Sequence, residues 1–308
     1  MIYTVTLNPS LDLLLALDKV ELGTIMRPDC RGLVAGGKGI NVSFMLSSLG
    51  IKSTALGFSS GMSGAEIEKQ LAAKGVMCDF VKLQDGFSRI NVKLNAEEET
   101  ELNCKGPKVS EEELKFFYDK IERIPSGSFV TLSGNIQPSL PQDIYLRIME
   151  VFEGKNIRTA VDVAGERLKE LLKFKPFVIK PNNFELEELF ETKIKDETHL
   201  LELGERLRQM GAENVIISLG AKGSVLISED GAEKFGIVDG DVINTTGAGD
   251  SMLAGFLAGI ERGYSKHKAM LLATACGSAT SFSVGIADGE LTEKCFDALL
   301  KIDAEKEN

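Results

Sequence analysis

From residue 110 onward, short apolar runs alternate with stretches whose apolar residues recur every three or four positions. Phe129–Leu132, Ile157–Asp162, Phe177–Lys180, Val215–Leu219 and Val225–Ser228 have the length and residue types of strands. The helical spacing predicts helices over Leu140–Phe152, Glu166–Leu172, Phe184–Phe190, His199–Met210, Lys266–Val284 and Leu291–Lys301. Ser110, with Glu113 three residues on, predicts a capped helix start. Before residue 110 the order is looser. Ile2–Leu7, Leu13–Leu17 and Thr54–Phe58 read as strands, Ala35–Leu49 and Gly64–Lys74 as helices, and 18–33 as a mixed segment rich in turn formers. Phe80–Leu83, Arg89–Leu94 and Thr100–Cys104 predict strands. No helix separates the last two, so they read as an antiparallel excursion. The acidic tail Asp303–Asn308 is expected to fray. The alternation predicts an α/β fold, a central mostly parallel β-sheet with helices on both faces, whose strand ends build a ligand crevice.

Composition narrows the chemistry. The 308 residues include no Trp and only two His, His199 and His267, which disfavours histidine-based catalysis or a histidine–zinc site. The five cysteines are scattered without Cys-x-x-Cys spacing, as expected of free thiols in a reducing cytoplasm. No apolar run approaches membrane-spanning length and no basic leader opens the chain, so a soluble cytoplasmic protein is expected. A net charge of −11 argues against nucleic acid or an anionic membrane as partner. Any anionic ligand must then be attracted by local cations, helix N-termini and a bound metal.

The chain is organised around Val242-Ile243-Asn244-Thr245-Thr246-Gly247-Ala248-Gly249-Asp250-Ser251. A β-type lead-in runs into two glycines, and a helix follows with Leu253, Phe256, Leu257 and Ile260 on one face. The first amides of such a helix lack intrahelical partners and suit an anion, while Asp250 suits a proton acceptor for an incoming hydroxyl. The other reading is a helix with an acidic first turn. Upstream, Gly36-Gly37-Lys38-Gly39-x-Asn41 opens a helix. It fails as a Walker A loop because Gly39 stands where Ser or Thr should hold Mg²⁺, and it reads as a phosphate site or a solvent-facing loop. No Gly-x-Gly-x-x-Gly follows a strand. Alternation puts Arg89, Asn91 and Lys93 on one strand face, either solvated or facing a ligand. Lys180-Pro181-Asn182-x-x-Glu185 lies at a strand end entering a helix, where Asn182 and Glu185 form a cap or meet a ligand. Leu219-Gly220-Ala221-Lys222-Gly223 reads as a hairpin or a nucleotide wall.

Together with Thr6-Leu7-Asn8-Pro9-x-x-Asp12 and Ser133-Gly134, these stretches run in order along nearly the whole chain, which resembles the ribokinase-like (PfkB) sugar kinases. Within that family, the opening and the strand Ser88–Leu94 look most like the 1-phosphofructokinases, with the tagatose-6-phosphate kinases as near relatives. The resemblance implies a ribokinase-like kinase domain over 1–308 with a small β-sheet lid from about 11–33 and 86–105, often the homodimer contact in this family. It implies ATP-dependent phosphorylation of a ketohexose phosphate, with fructose 1-phosphate giving fructose 1,6-bisphosphate. Tagatose 6-phosphate or fructose 6-phosphate are the alternatives, and a non-catalytic sugar-phosphate- or nucleotide-binding regulator is the distant one.

Residue by residue, Asp250 would be the base and Gly247, Ala248 and Gly249 the anion hole. Asp12, Gly36, Gly37, Asn41 and Ser133 would hold the sugar, and Lys38 and Arg89 its phosphate. Lys180, Asn182, Ser218, Gly220, Gly223, Gly247 and Gly249 would border ATP, with Glu185 and Asn182 acting on Mg²⁺ through water. Members of the family frequently bind a monovalent cation such as K⁺ near the anion hole. Asn244, where many relatives carry Asp, bears on that cation. Asn135-Ile136 after Gly134, and Ala164 after Asp162, also depart from the commoner pattern and bear on sugar specificity.

Overall fold

The computed structural model describes residues 1–98 and 100–306. β1 (Ile2–Thr6), β2 (Ser10–Ala16) and β3 (Asp29–Gly36) precede α1 (Lys38–Ser48), β4 (Ser53–Ser59) and α2 (Gly61–Ala73). The short β5 (Met77–Cys78) and β6 (Val81–Lys82) are followed by β7 (Arg89–Asn95) and β8 (Thr100–Leu102). Regular alternation then sets in with α3 (Glu111–Glu122), β9 (Phe129–Ser133), α4 (Ile144–Phe152), β10 (Arg158–Asp162) and α5 (Glu166–Leu172). It continues with β11 (Val178–Ile179), α6 (Asn183–Leu189), α7 (Glu197–Gln209) and β12 (Asn214–Ser218). A hairpin of β13 (Ser224–Ser228) and β14 (Gly231–Phe235) leads to α8 (Ala248–Glu261), α9 (Lys266–Ser281) and α10 (Gly289–Lys306).

Among the described residues, the main sheet has the order β14-β13-β12-β11-β10-β9-β1-β4-β5, with β6 also on β4. All pairs from β12 to β5 are parallel, and β13 and β14 extend the sheet antiparallel. Its central strands, β1, β4 and β9 to β13, are mostly apolar and buried because both faces are covered. Val130, Val161, Ile179 and Ile217 pack with α3 to α7, while Phe129, Ala160, Val178 and Ile216 pack with α1, α8, α9 and α10. The expected layering is what forms.

A separate sheet has the order β3-β2-β7-β8, with β2 parallel to β7 and antiparallel to β3. Residues 29–36 differ from expectation: in place of a turn-rich segment running into a helix start they form β3, which shows no alternation because only Ala35 and Gly36 are buried. β2 starts at Ser10, so Asp12 lies inside it. β14 went unread for the same reason as β3: it is an edge strand with four of its five residues exposed. Val242 and Ile243 are exposed and unpaired as a strand; the N–H groups of Ile243 and Asn244 both donate to the Ser281 carbonyl. The helix expected from Leu140 starts at Ile144, after Pro141. Asp303 to Lys306 continue α10, and Glu307 and Asn308 lie outside the described residues. No described helix is long and apolar enough to cross a membrane.

The helix bearing Asp250 is held by contact with α9 at small residues. A Cβ on Gly255 would lie 2.6 Å from the Cys276 sulfur and 2.8 Å from the Ala273 Cα, and one on Gly259 would lie 2.7 Å from the Ala269 Cα. The backbones approach so closely that only glycine fits. Gly255→Ala should therefore destabilise the fold by about 1–3 kcal/mol through overpacking. Chemical denaturation reads this as a lower midpoint at unchanged slope, and an unchanged midpoint would mean that α9 yields freely.

Candidate active site

The C-terminal ends of the parallel strands bring together residues that are far apart in sequence. Gly247 adopts φ +83° at the entry to α8, a conformation that glycine tolerates and that turns the chain sharply into the helix. A Cβ there would meet Ile286 Cδ1 at 2.6 Å. The N–H groups of Gly249 and Asp250 have no backbone acceptor among the described residues, so they are available to an anion. Ala248 differs from expectation: its N–H donates to the Thr245 carbonyl at 3.2 Å.

Asp250 is buried, and its Oδ2 accepts a hydrogen bond of 2.7 Å from Asn41 Nδ2 in α1. Burial, reinforced by the negative charge of Asp162, pushes its pKa up to about 6, against the opposing pull of Lys38, Asn41 and Lys180. A carboxylate of that basicity remains ionised at neutral pH and can accept a proton.

Asp162, at the end of β10, is the organiser that the sequence did not reveal as a site residue. Its Oδ1 accepts from Lys38 Nζ at 3.1 Å, and its Oδ2 lies 3.7 Å from Lys180 Nζ. Burial alone would raise its pKa, but Lys180 and Lys38 outweigh burial and hold the carboxyl below its usual range. For Lys38 burial acts downward, and Asp162, Asp250 and Glu185 more than offset it, so its pKa is raised. A Cβ on Gly249 would lie 2.9 Å from Lys180 Nζ, so this ammonium sits over the free amides. A strand-end aspartate carries no glycine signature, and its lysine partners lie on other elements. Only the geometry identifies it.

The polar face of β7 gathers around Asp12 of β2. Parallel pairing sets Asn91 beside Asp12, and Asn91 Nδ2 donates to Asp12 Oδ1 at 2.9 Å. Lys93 bridges Asp12 Oδ2 at 3.6 Å and Glu101 at 3.1 Å. Gly36 must be small here, since a Cβ would lie 2.8 Å from both Asp12 Oδ2 and Ser10 Oγ. Arg89 Nε donates to the Asn8 carbonyl at 3.1 Å, and burial lowers its pKa. Gly37, at φ +121°, packs on Thr6. Ser133 ends β9 fully buried, with no hydrogen-bond partner on Oγ, and the adjoining Gly134 lies against the Lys38 side chain.

Asn182 and Glu185 form a reciprocal capping box at α6: Glu185 N–H donates to Asn182 Oδ1 at 2.9 Å, and Asn182 N–H to Glu185 Oε2 at 2.8 Å. Ser218 pairs with Asn182 across an isolated bridge. Gly220 lies in the short 3₁₀ turn Gly220–Lys222, and Gly223 at φ +86° is pressed onto the Phe235 carbonyl. That is a packing requirement.

Residues 5–293 match the family model described as pfkB family carbohydrate kinase. The chain belongs to that family. This pfkB kinase is 38% identical to the 1-phosphofructokinase of Bacillus subtilis (strain 168), over 96% of this chain and 97% of that one. It is 37% identical to the D-tagatose-1-phosphate kinase of Bacillus licheniformis, over 94% and 95%. Among solved structures, phosphofructokinase-2 from Escherichia coli in complex with substrates and products superposes with a TM-score of 0.91 at 25% identity, covering 97% of this chain and 99% of that one. The same enzyme in complex with potassium superposes at 0.88, with the same identity and coverage.

The proton affinity of Asp250 gives the pfkB kinase a pH signature. Its kcat/KM should fall about tenfold per pH unit once the pH drops below about 6. Asp162→Asn leaves the burial of Asp250 but removes the charge that adds to its effect, so the acid limb should move to lower pH along with a loss of activity. A limb that stays in place in a pH–rate profile would show that Asp162 does not set the basicity of Asp250.

Proposed function

We propose that this chain transfers the γ-phosphoryl group of ATP to a ketohexose 1-phosphate, with fructose 1-phosphate giving fructose 1,6-bisphosphate. The observation that carries this reading is Asp250, a buried carboxylate of raised basicity beside free helix-N-terminal amides and an overlying ammonium. Phosphoryl transfer needs alignment and charge stabilisation more than covalent participation by the protein. In this proposal Asp250 takes the proton of the attacking C6 hydroxyl, and Asn41 holds the carboxylate toward it. The amides of Gly249 and Asp250, with Lys180, receive the charge of the phosphoryl group in transit. Asp12, fixed by Asn91 and Lys93, orients the sugar, and Lys38 and Arg89 hold the phosphate it already carries.

The sequence left the phosphate at either end of the sugar. The relatives' names, 1-phosphofructokinase and D-tagatose-1-phosphate kinase, favour a 1-phosphate over the 6-phosphates weighed from the sequence. Tagatose 1-phosphate is therefore the second reading.

Mg²⁺ fits as the ion of the nucleotide. Asp162 Oδ2 has no hydrogen-bond donor, and Glu185 and Asn182, engaged in their cap, would act on the ion through water. When bound, Mg²⁺ neutralises the phosphate charge that a protein at −11 otherwise repels. Ser218 and Gly220 border the nucleotide in this proposal. The small sheet acts as a lid, and its exposed Leu33, Val34 and Leu102, with Leu22 and Ile25 of the adjoining loop, form the contact with a second copy of the chain.

ADP release measured with fructose 1-phosphate, tagatose 1-phosphate, fructose 6-phosphate, tagatose 6-phosphate and free fructose tests the reading. The 1-phosphates should give the highest kcat/KM, and no release with any of them would overturn it. Asp250→Asn keeps the shape but cannot accept the proton, so kcat should fall by about 10²–10⁴. A variant retaining a tenth of wild-type turnover would remove Asp250 from this role. Arg89→Ala should weaken the phosphosugar by about 1.5–3 kcal/mol and change activity on free fructose much less. Equal losses on both sugars would mean that Arg89 is structural.

A further inference from the structure

The resemblance of this chain to its family implies a monovalent cation near the anion hole, and phosphofructokinase-2 from Escherichia coli has been solved with potassium. Beside the expected anion hole of this chain, the Asn244 side chain joins two segments as an amide and not as a carboxylate. Asn244 Oδ1 accepts the Thr246 N–H at 2.9 Å. A backbone N–H is a fixed donor, so this bond settles which end of the amide is oxygen. Nδ2 therefore points the other way and donates to the Val284 carbonyl at 3.1 Å. A monovalent cation is held by oxygen atoms, and Nδ2 offers it none; its hydrogen-bearing, positive end takes one of the two lone pairs of the Val284 carbonyl.

The bridge has a defined position. Residues 243–247 and 281–286 also meet where Ile243 and Asn244 donate to the Ser281 carbonyl, at 2.8 and 3.2 Å, and where Ile286 packs against Gly247. Two residues separate Asn244 from Gly247, where the chain turns into α8. An aspartate at 244 would set a carboxylate oxygen against the Val284 carbonyl, two acceptors with nothing between them. A cation would then have to join them.

We propose that the Asn244 side chain replaces a monovalent cation in this protein, joining the two segments that position the Gly247–Asp250 turn and making the kinase indifferent to K⁺. The kinetic part of this inference rests on the kinase reading above, and the thermal part does not. The test compares full-length wild type, Asn244→Asp and Asn244→Ala in KCl and in choline chloride at equal ionic strength. Wild type should have the same unfolding midpoint in both salts, within about 1 °C, and rates within about twofold. Asn244→Asp should unfold lower in choline and regain about 2–5 °C in KCl, with a rate that rises about tenfold. Asn244→Ala should lose about tenfold in kcat in both salts, without rescue by K⁺. A wild-type midpoint or rate that climbs with K⁺ would overturn the inference, as would an Asn244→Ala enzyme as active as wild type. Absence of kinase activity in every salt would count against the kinase reading, while the midpoints would still decide whether K⁺ binds.

Discussion

The crevice depends on a buried negative charge held between two positive ones. Asp162 is almost inaccessible to water, and an isolated carboxylate there would take up a proton. Lys38 from α1 and Lys180 from the end of β11 keep it ionised. The same charge holds both ammonium groups close by and adds to burial in raising the proton affinity of Asp250. In the proposed function, positive charge for phosphates and part of the basicity for the hydroxyl come from one arrangement. Its strength is considerable, since two unit charges about 4 Å apart interact by about 4 kcal/mol at an effective dielectric constant near 20.

The pairing also accounts for how a chain of net charge −11 can present cations to anionic ligands. Lys38 and Lys180 are matched by Asp162, and Lys93 by Asp12 and Glu101. Before a ligand arrives, these groups nearly cancel. In the proposed function an incoming phosphate would compete with a carboxylate for an ammonium that is already oriented, so little side-chain entropy would remain to be lost on binding.

The layers of the fold were legible because its strands are covered on both faces and its helices on one, two patterns that apolar spacing reports directly. The edge strands β3 and β14 were not, since exposed positions have no reason to be apolar. In the site, glycine marked the turns where backbone must pass close to a side chain, as at Gly36, Gly247 and Gly249. Asp162 was missed because a single carboxylate at a strand end looks the same whether or not lysines from elsewhere converge on it. Asn182 and Glu185 could be read from sequence as a cap or as a ligand site. The cap is formed, and Lys38 still senses the charge of Glu185.

The hydrogen bond from Asn41 to Asp250 joins residues 209 positions apart. During synthesis at about 5–20 residues per second, the proton acceptor leaves the ribosome on the order of 10–40 s after the amide that holds it. Through that interval Val42, Met45 and Leu46 of α1 can meet the earlier strands but lack the cover that α8 to α10 will give them. The nascent chain must keep that apolar face from wrong contacts until its last helices arrive.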